Sequence, residues 1–156
     1  MRKVDQIVES KYIWPVDRRY TPDDINISFD PRIRKNRKRL HGGIDLYATT
    51  GDPVRAIESG EIHLAGPSDS PRWKSGHVVI KIQPKTKNSR PLFVIYLGLG
   101  RIGKNIEKGV KVKKGGYIGN VGAQHATYPH LHIEFRSGKL DGRRINPLNF
   151  LPFQTV

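Results

Sequence analysis

Apolar residues occur along this chain in short runs, separated by turns that are rich in glycine and proline. The clearest runs are HVVIKI (77–82), LFVIYL (92–97) and HLHIEF (130–135). Runs of about six residues with β-branched or aromatic side chains, bounded by turn residues, predict β-strands. Shorter candidates with the same character are INISF (25–29), GIDLYA (43–48), PVRAI (53–57), GEIHLAG (60–66) and GYIGNVG (116–122).

No window shows a convincing 3.6-residue period over three turns, and the best helical candidate is one turn near residues 100–106. Many short strands with turns between them predict an all-β domain, either a sandwich or a barrel-like stack of sheets. The segments GDPVRAIESGEI (51–62) and KGVKVKKGGYIG (108–119) share a valine–turn–glycine–strand pattern, which suggests two related hairpins.

The composition fits one globular domain of 156 residues, and cysteine is absent, which excludes disulfides and thiolate metal sites. We assign residues 25–156 to that domain and residues 1–24 to an N-terminal extension that packs on it or leads into it. The apolar runs are too short to span a membrane. The start, MRKVDQIVES, has no apolar core of a secretory signal. We therefore expect a protein that is released by other means, such as a phage-associated protein, or one whose leader precedes this sequence.

The formal net charge of +14 predicts attraction to polyanions such as nucleic acid, anionic lipid surfaces or anionic cell-wall polymers. Two basic runs stand out, RIRKNRKR (32–39) and KGVKVKK (108–114), although either is equally consistent with a solvated loop. The first run lacks the interleaved aromatic residues of a nucleic-acid module, so nucleic acid is the less favoured partner.

The stretch PHLHIEF (129–135) places His130 and His132 two residues apart. In a strand both side chains would share one face, while Leu131 would point to the other face. Three interpretations remain open from the residues alone. The pair is a set of metal ligands, a catalytic base beside a ligand, or two ordinary histidines of a sheet.

Upstream, LHGGIDLYA contains His41 and Asp45, and its two glycines argue against a helix there. In a turn that runs into a strand, the two side chains can still converge. Imidazole and carboxylate are both good zinc ligands, and catalytic zinc sites have three protein ligands and one open position. His41, Asp45 and one histidine of the later pair would complete such a set, with the other histidine placed to accept a proton from water.

Six motifs follow one another from about residue 28 to residue 151: SFDPR (28–32), HGGIDLYATTGDPVRAIESGEI (41–62), GHVVIKI (76–82), GVKVKKGGYIGNVG (109–122), YPHLHIEF (128–135) and INPLNFL (145–151). In these motifs the chain resembles the lysostaphin/LytM-like zinc metallopeptidases, which hydrolyse peptide stems or cross-bridges of peptidoglycan. The order and spacing of the motifs match those of the family, which is more specific than any single motif.

The resemblance implies an antiparallel β-sheet sandwich with a substrate groove, the duplicated hybrid motif of this family. It implies that His41, Asp45 and His132 bind Zn²⁺, and that His130 acts as base or transition-state stabiliser. Glu134 shares the strand face of His132 and is expected either to orient that ligand or to form an exposed ion pair.

One position departs from the family pattern. The family has a further histidine in a Y-x-H-L motif, whereas this chain reads YLGL, so Gly98 stands in its place. His125, in the loop before His130, is a candidate to compensate for the loss. His63 and His77 lie in strand patterns and are expected to be ordinary, partly buried residues.

We therefore expect a zinc metalloendopeptidase that acts on peptidoglycan, with the peptidoglycan or another anionic wall polymer as its partner. It would act in the cell envelope or outside the cell. The alternative is a catalytically weak or inactive protein that retains zinc and binds the wall or a partner, which Gly98 favours.

Overall fold

The strands of the fold are short and follow the predicted runs. A computed structural model of the chain describes residues 12–17, 25–27, 42–67, 76–84, 89–122, 129–147 and 150–152. The ten strands in this part of the chain are β1 (Ile25–Ile27), β2 (Gly43–Tyr47), β3 (Pro53–Arg55), β4 (Gly60–Pro67), β5 (Gly76–Ile82), β6 (Leu92–Ile102), β7 (Lys111–Val112), β8 (Tyr117–Val121), β9 (His130–Ser137) and β10 (Arg143–Ile145).

All of the strand pairs are antiparallel, and the described residues contain no α-helix. The main path of the sheet runs β1-β2-β9-β6-β5-β4-β7, with β10 beside β9 and with β8 beside both β3 and β6. The predicted all-β antiparallel fold is therefore confirmed. No helix in the described part of the chain is long and apolar enough to cross a membrane.

Two short strands, β7 and β10, were not predicted, and the helical turn expected near residues 100–106 is wrong. Arg101 and Ile102 continue β6 and pair with Asn120 and Gly119 of β8. The chain then makes a turn that is closed by a hydrogen bond of 3.0 Å from the Ile106 N–H to the Gly103 carbonyl. Strand pairing therefore satisfies the backbone groups that a helix would have used.

The hydrophobic core lies on one face of the central strands. Leu131, Ile133 and Phe135 of β9 are fully buried there. They pack in one cluster with alternate residues of β2 and β6, such as Leu46 and Tyr96. Because side chains alternate along a strand, the remaining positions of β9 (His130, His132, Glu134 and Arg136) point to the opposite face. The hydrophobic alternation thus decides which residues can form a site.

The two segments with related sequences, 51–62 and 108–119, pair with each other. Val54 of β3 pairs with Gly119 of β8, and Gly60 of β4 pairs with Val112 of β7. Between these strands, Ala56 donates to the Gly116 carbonyl and accepts a hydrogen bond from the Gly115 N–H, both at 2.8 Å. Each segment is therefore a strand–turn–strand unit that completes the other, and neither is a hairpin by itself.

The part of the predicted N-terminal extension that is described, residues 12–17, contacts the domain. Ile13 donates to the Ile57 carbonyl at 3.1 Å, and Arg55 donates to the Pro15 carbonyl at 2.7 Å. The side chain of Val16 is buried in the core. The proposed division after residue 24 remains a prediction.

A buried tyrosine joins the central sheet to the turn after β3. The hydroxyl of Tyr96, which is fully buried, accepts a hydrogen bond of 3.0 Å from the backbone N–H of Ile57. Burial raises the pKa of the Tyr96 hydroxyl well above its ordinary value, although the Ile57 bond opposes the rise. The hydroxyl therefore stays neutral and serves as the acceptor for a backbone group that water does not reach.

We predict that Tyr96→Phe lowers the free energy of unfolding by about 1–3 kcal/mol, because it leaves the buried Ile57 N–H without its acceptor. Urea unfolding monitored by fluorescence measures the change. The control is Tyr117→Phe, since the side chain of Tyr117 is 43% exposed. Equal effects of the two substitutions would contradict a special role for the buried bond.

Candidate metal and catalytic site

Three polar residues are buried at one place on the face of the sheet opposite the core. The buried polar or charged side chains of the described residues are Asp45, His130 and His132, which are 4%, 4% and 6% exposed. Asp45 of β2 pairs directly with His132 of β9. Directly paired residues of antiparallel strands have neighbouring side chains on the same face. The register therefore brings together two residues that are 87 positions apart in sequence.

Both ring nitrogens of His132 face carboxylates. Nδ1 lies 2.6 Å from Oδ1 of Asp45, and Nε2 lies 2.9 Å from Oε1 of Glu134. The other oxygen of Glu134 accepts hydrogen bonds from Arg136, at 3.2 Å from Nε and 2.7 Å from Nη2. Asp45, His132, Glu134 and Arg136 thus form one continuous polar chain across β2 and β9.

Gly42, directly before β2, and Gly43, its first residue, lie close to the side chain of Glu134. A Cβ atom on Gly43 would lie 2.8 Å from Cγ of Glu134 and 2.0 Å from the carbonyl oxygen of Ile133. A Cβ atom on Gly42 would lie 2.8 Å from Nε of Arg144 and 3.4 Å from Oε1 of Glu134. The two glycines therefore have a packing reason: a Cβ atom on Gly43 would collide with the backbone of β9 and the Glu134 side chain, and one on Gly42 would collide with the Arg144 side chain.

The ionisation of this group is set by its close contacts. Burial by itself would lower the pKa of His132, but the hydrogen bonds and charges of Asp45 and Glu134 outweigh it and raise the pKa to about 9. Burial would raise the pKa of Glu134, but the hydrogen bonds and charges of His132 and Arg136 lower it to about 2. In the metal-free protein His132 is therefore a cation between two carboxylates.

His130 lies next to this chain of contacts. Its Nε2 atom is 3.7 Å from Oδ2 of Asp45, beyond hydrogen-bond distance but close enough for electrostatic interaction. His130 pairs with Tyr47 at the end of β2, so it lies one alternate position away from His132 on the same face. The structure thus places His130 beside the Asp45–His132 contact.

Gly98 lies at the edge of the same region. Strand β6 pairs with β9 as far as Leu97, which faces His132, and it pairs with β8 from Leu99 onward. Gly98 lies between the segment of β6 that pairs with β9 and the segment that pairs with β8, and it has a φ of 93°. Its carbonyl accepts a hydrogen bond of 2.8 Å from the Gly122 N–H. A residue with a side chain would be strained in this left-handed conformation.

Two residues of the predicted site lie outside the described part of the chain: His41, the third predicted zinc ligand, and His125. The SFDPR motif (28–32) lies outside it as well. His63 is half-buried, as predicted, with its ring 5.0 Å from that of Phe93. The sequence interpretation missed Arg136. The pattern H-x-H-x-E-x-R could have indicated it, since every second residue of a strand shares one face.

The donor set fits a zinc ion as far as it is described. His132 and Asp45 are buried, with Nδ1 and Oδ1 2.6 Å apart. Imidazole, once it has lost its proton, and carboxylate are the types of ligand that zinc prefers. Glu134 at the other ring nitrogen is the kind of outer carboxylate that fixes a ligand histidine. Among the residues that the structure describes, no group of three or more His, Cys, Asp or Glu is placed to hold a metal ion.

Comparisons with known proteins point to one family. Residues 39–147 match the model of Peptidase family M23. A DD-carboxypeptidase/endopeptidase, Mpg, from Neisseria meningitidis serogroup B is 30% identical over 111 residues, which are 71% of this chain and 23% of that protein. The chain therefore spans less than a quarter of the length of this curated relative.

Solved structures share the fold. The antimicrobial peptidase lysostaphin from Staphylococcus simulans superposes with a TM-score of 0.64 at 25% identity, covering 81% of this chain and 48% of that one. A zinc-containing peptidase from Vibrio cholerae superposes with a TM-score of 0.62 at 27% identity, covering 85% of this chain and 37% of that one.

We predict that the metal-free protein is most stable between pH 4.5 and pH 6.5. The contribution of His132 is complete below its ordinary pKa of 6.5 and is lost as the pH rises through about 9. The contribution of Glu134 is complete above its ordinary pKa of 4.5 and is lost as the pH falls through about 2. Chemical unfolding in the presence of a chelator, from about pH 2 to about pH 9, measures the acid limb and the alkaline limb of this stability profile.

The matched variant is Glu134→Gln, which keeps the shape of the side chain and removes its charge. It should flatten the acid limb and weaken the alkaline limb, because His132 loses one of its two carboxylates. A Glu61→Gln control, on the exposed side of β4, should leave both limbs in place. Unchanged limbs in Glu134→Gln would contradict the assigned contacts.

Proposed function

This chain belongs to peptidase family M23, and we propose that it is a zinc-dependent endopeptidase that hydrolyses peptide bonds in the stems or cross-bridges of peptidoglycan. The membership agrees with the resemblance to the lysostaphin/LytM-like peptidases. The observation that carries the proposal is the buried contact of 2.6 Å between His132 and Asp45, made by residues far apart in sequence. The similarity to a DD-carboxypeptidase/endopeptidase and to an antimicrobial peptidase supports the substrate class.

In this proposal His132, Asp45 and His41 hold the zinc ion. Zinc at such a donor set supplies Lewis acidity, which polarises a peptide carbonyl and makes water a better nucleophile. The similarity to a zinc-containing peptidase supports this choice of metal. The protein contributes the orientation of the ligands, because Glu134 contacts Nε2 of His132 and so directs Nδ1 toward Asp45.

The residue we assign to proton transfer is His130. It is buried beside Asp45 and is a neighbour of His132 on the same strand face. A positioned imidazole can accept a proton from the attacking water and return it to the leaving amine, which typically contributes a factor of about 10²–10⁴ to the rate. Arg136 acts one step further away, because its two hydrogen bonds hold the Glu134 carboxylate in place.

The second candidate function is a weakly active or inactive protein that retains zinc and binds the cell wall. Gly98 favours it, because glycine has no side chain with which to donate a hydrogen bond to a developing oxyanion. Loss of one such donor typically costs a factor of about 10²–10³ in kcat. Both functions place the protein in the cell envelope or at the wall of a target cell, with the +14 charge attracting anionic wall polymers.

We predict that the zinc-loaded protein cleaves muropeptides or cross-linked peptidoglycan and that a chelator abolishes cleavage, which mass spectrometry of the products measures. Asp45→Ala should lose both zinc and cleavage. His130→Ala should keep zinc but lose on the order of 10²-fold or more in kcat. The control is Asp141→Ala, a carboxylate exposed in the turn before β10. Bound zinc without turnover at high enzyme concentration would support the second candidate.

We predict that the basic segment 108–114 contributes to wall binding, because its lysines are exposed on and beside the short strand β7. Neutralising Lys108, Lys111 and Lys113 to Gln should weaken binding to poly(glycerol phosphate) and reduce its salt dependence. The control neutralises three exposed cations elsewhere, Arg90, Lys139 and Arg143. Equal losses, measured by co-sedimentation over a salt series, would mean that net charge alone controls binding.

A further inference from the structure

Among the described residues, His130 is the one histidine of the site that is not a proposed zinc ligand. Gly98 provides no imidazole at the position where the family pattern has a histidine. We propose that His77 of β5 supplies a second imidazole to this site and contacts the peptide substrate. This inference rests on the proposed peptidase function. Four observations carry it. They are the register of the sheet, an irregularity of that register at Gly98, a buried ring nitrogen of His77 that has no partner among the described residues, and the position of His63 away from the site.

The register of four strands aligns His77 with the site. Asp45 of β2 pairs with His132 of β9, His132 pairs with Leu97 of β6, and Leu97 pairs with His77 of β5. These four residues form one row across the sheet. Directly paired residues of antiparallel strands have side chains on the same face. His77 therefore belongs to the outward face that carries the buried histidines and Asp45, opposite the core.

An irregularity in the strand register lies at this row. Gly76 pairs with Leu99 and His77 pairs with Leu97, so the pairing of β5 with β6 skips Gly98. An extra residue in one strand is a β-bulge, and such bulges re-aim side chains near active sites. Gly98, which replaces the histidine of the family pattern, is thus the residue of β6 that the pairing with β5 skips, and it lies next to the pair of Leu97 with His77.

The His77 ring has an unsatisfied hydrogen-bonding group. Its Nδ1 atom is buried and has no hydrogen-bond partner among the described residues. The residue as a whole is half-buried, so part of His77 is exposed to solvent. A buried polar atom without a partner costs free energy, on the order of 1–3 kcal/mol, and calls for an explanation such as a ligand or water.

The distance between His132 and His77 leaves room for a peptide substrate between them. Neighbouring strands lie about 4.8 Å apart, so the backbones of His132 and His77 are separated by about 10 Å with Leu97 between them. Leu97 is only half-buried, so the row has a surface there. A peptide bond lying over Leu97 would have the proposed zinc ligands on one side and the His77 imidazole on the other. That imidazole could donate a hydrogen bond to the developing oxyanion or carry a proton.

The other described histidine outside the site, His63, lacks this placement. Its ring packs edge-on against Phe93 at a centroid distance of 5.0 Å. Phe93 pairs with Arg136, four positions along β6 from Leu97, which is roughly 13 Å along a strand. His63 is therefore a matched control: a half-buried histidine of the neighbouring strand β4 that lies away from the row.

The experiment compares His77→Ala, His77→Gln and His63→Ala as zinc-loaded proteins on the muropeptide that the wild type cleaves fastest. We expect His77→Ala to lower kcat/KM by on the order of 10²-fold, and His63→Ala by less than about threefold. His77→Gln should recover part of the loss if the ring mainly donates a hydrogen bond. Zinc affinity, measured by chelator competition, should stay within about twofold of the wild type in all three variants, because none removes a proposed ligand.

Two further readouts separate a role in the reaction from a structural one. The pH profile of kcat/KM should lose or shift one limb in His77→Ala but not in His63→Ala. Added imidazole should restore part of the activity of His77→Ala. It would restore none if the loss of activity came from a packing defect.

An active wild type whose His77→Ala variant keeps kcat/KM within about threefold would overturn this inference and leave the proposed function standing. Equal losses in His77→Ala and His63→Ala, without rescue by imidazole, would overturn it as well. A wild type that binds zinc and cleaves no muropeptide would overturn the proposed function and this inference together.

Discussion

The structure of the site depends on the register of β9 between its two neighbours. Asp45 pairs with His132 from one side, and Leu97 pairs with His132 from the other. A shift of one residue in either pairing would turn His132 toward the core and Leu131 toward the surface, because side chains alternate with a period of two. The fully buried apolar residues of β9 oppose such a shift. The same packing that stabilises the fold therefore also aligns the polar residues of the site.

The second constraint is charge balance in a buried place. His132 lies between Asp45 and Glu134, and Arg136 neutralises the remaining charge of Glu134. Buried charges are tolerated when each has a partner, and removal of one member leaves an uncompensated charge that is strongly destabilising. The four residues therefore act as one unit. Gly43 belongs to this unit in a steric sense, since it leaves room for the Glu134 side chain.

The fold was largely predictable from the sequence, because runs such as HVVIKI and HLHIEF are long enough to show their strand character. The strands β7 and β10 were missed because two or three residues carry no measurable period, and the supposed helical turn proved to be the end of β6. The site was predictable in part. The spacing of His130 and His132 indicates a shared face, and the family motif connects them with Asp45. The position of His77 could not be predicted, because it depends on a strand register that skips one residue of β6.

Gly98 is better explained by the backbone than by the side chain that it lacks. Strand β6 serves two partners, β9 through Leu97 and β8 from Leu99, and the change occurs at Gly98. Directly beyond it, the backbones of Gly100 and Gly122 approach so closely that a Cβ atom on either would lie 2.7 Å from the Cα of the other. The φ of 93° at Gly98 occurs where β6 changes its partner strand, and a side chain in this conformation would cost about 1–2 kcal/mol. The backbone conformation at position 98 therefore favours glycine over a residue with a side chain. The two candidate functions therefore differ in what the imidazoles of the outward face contribute to the reaction.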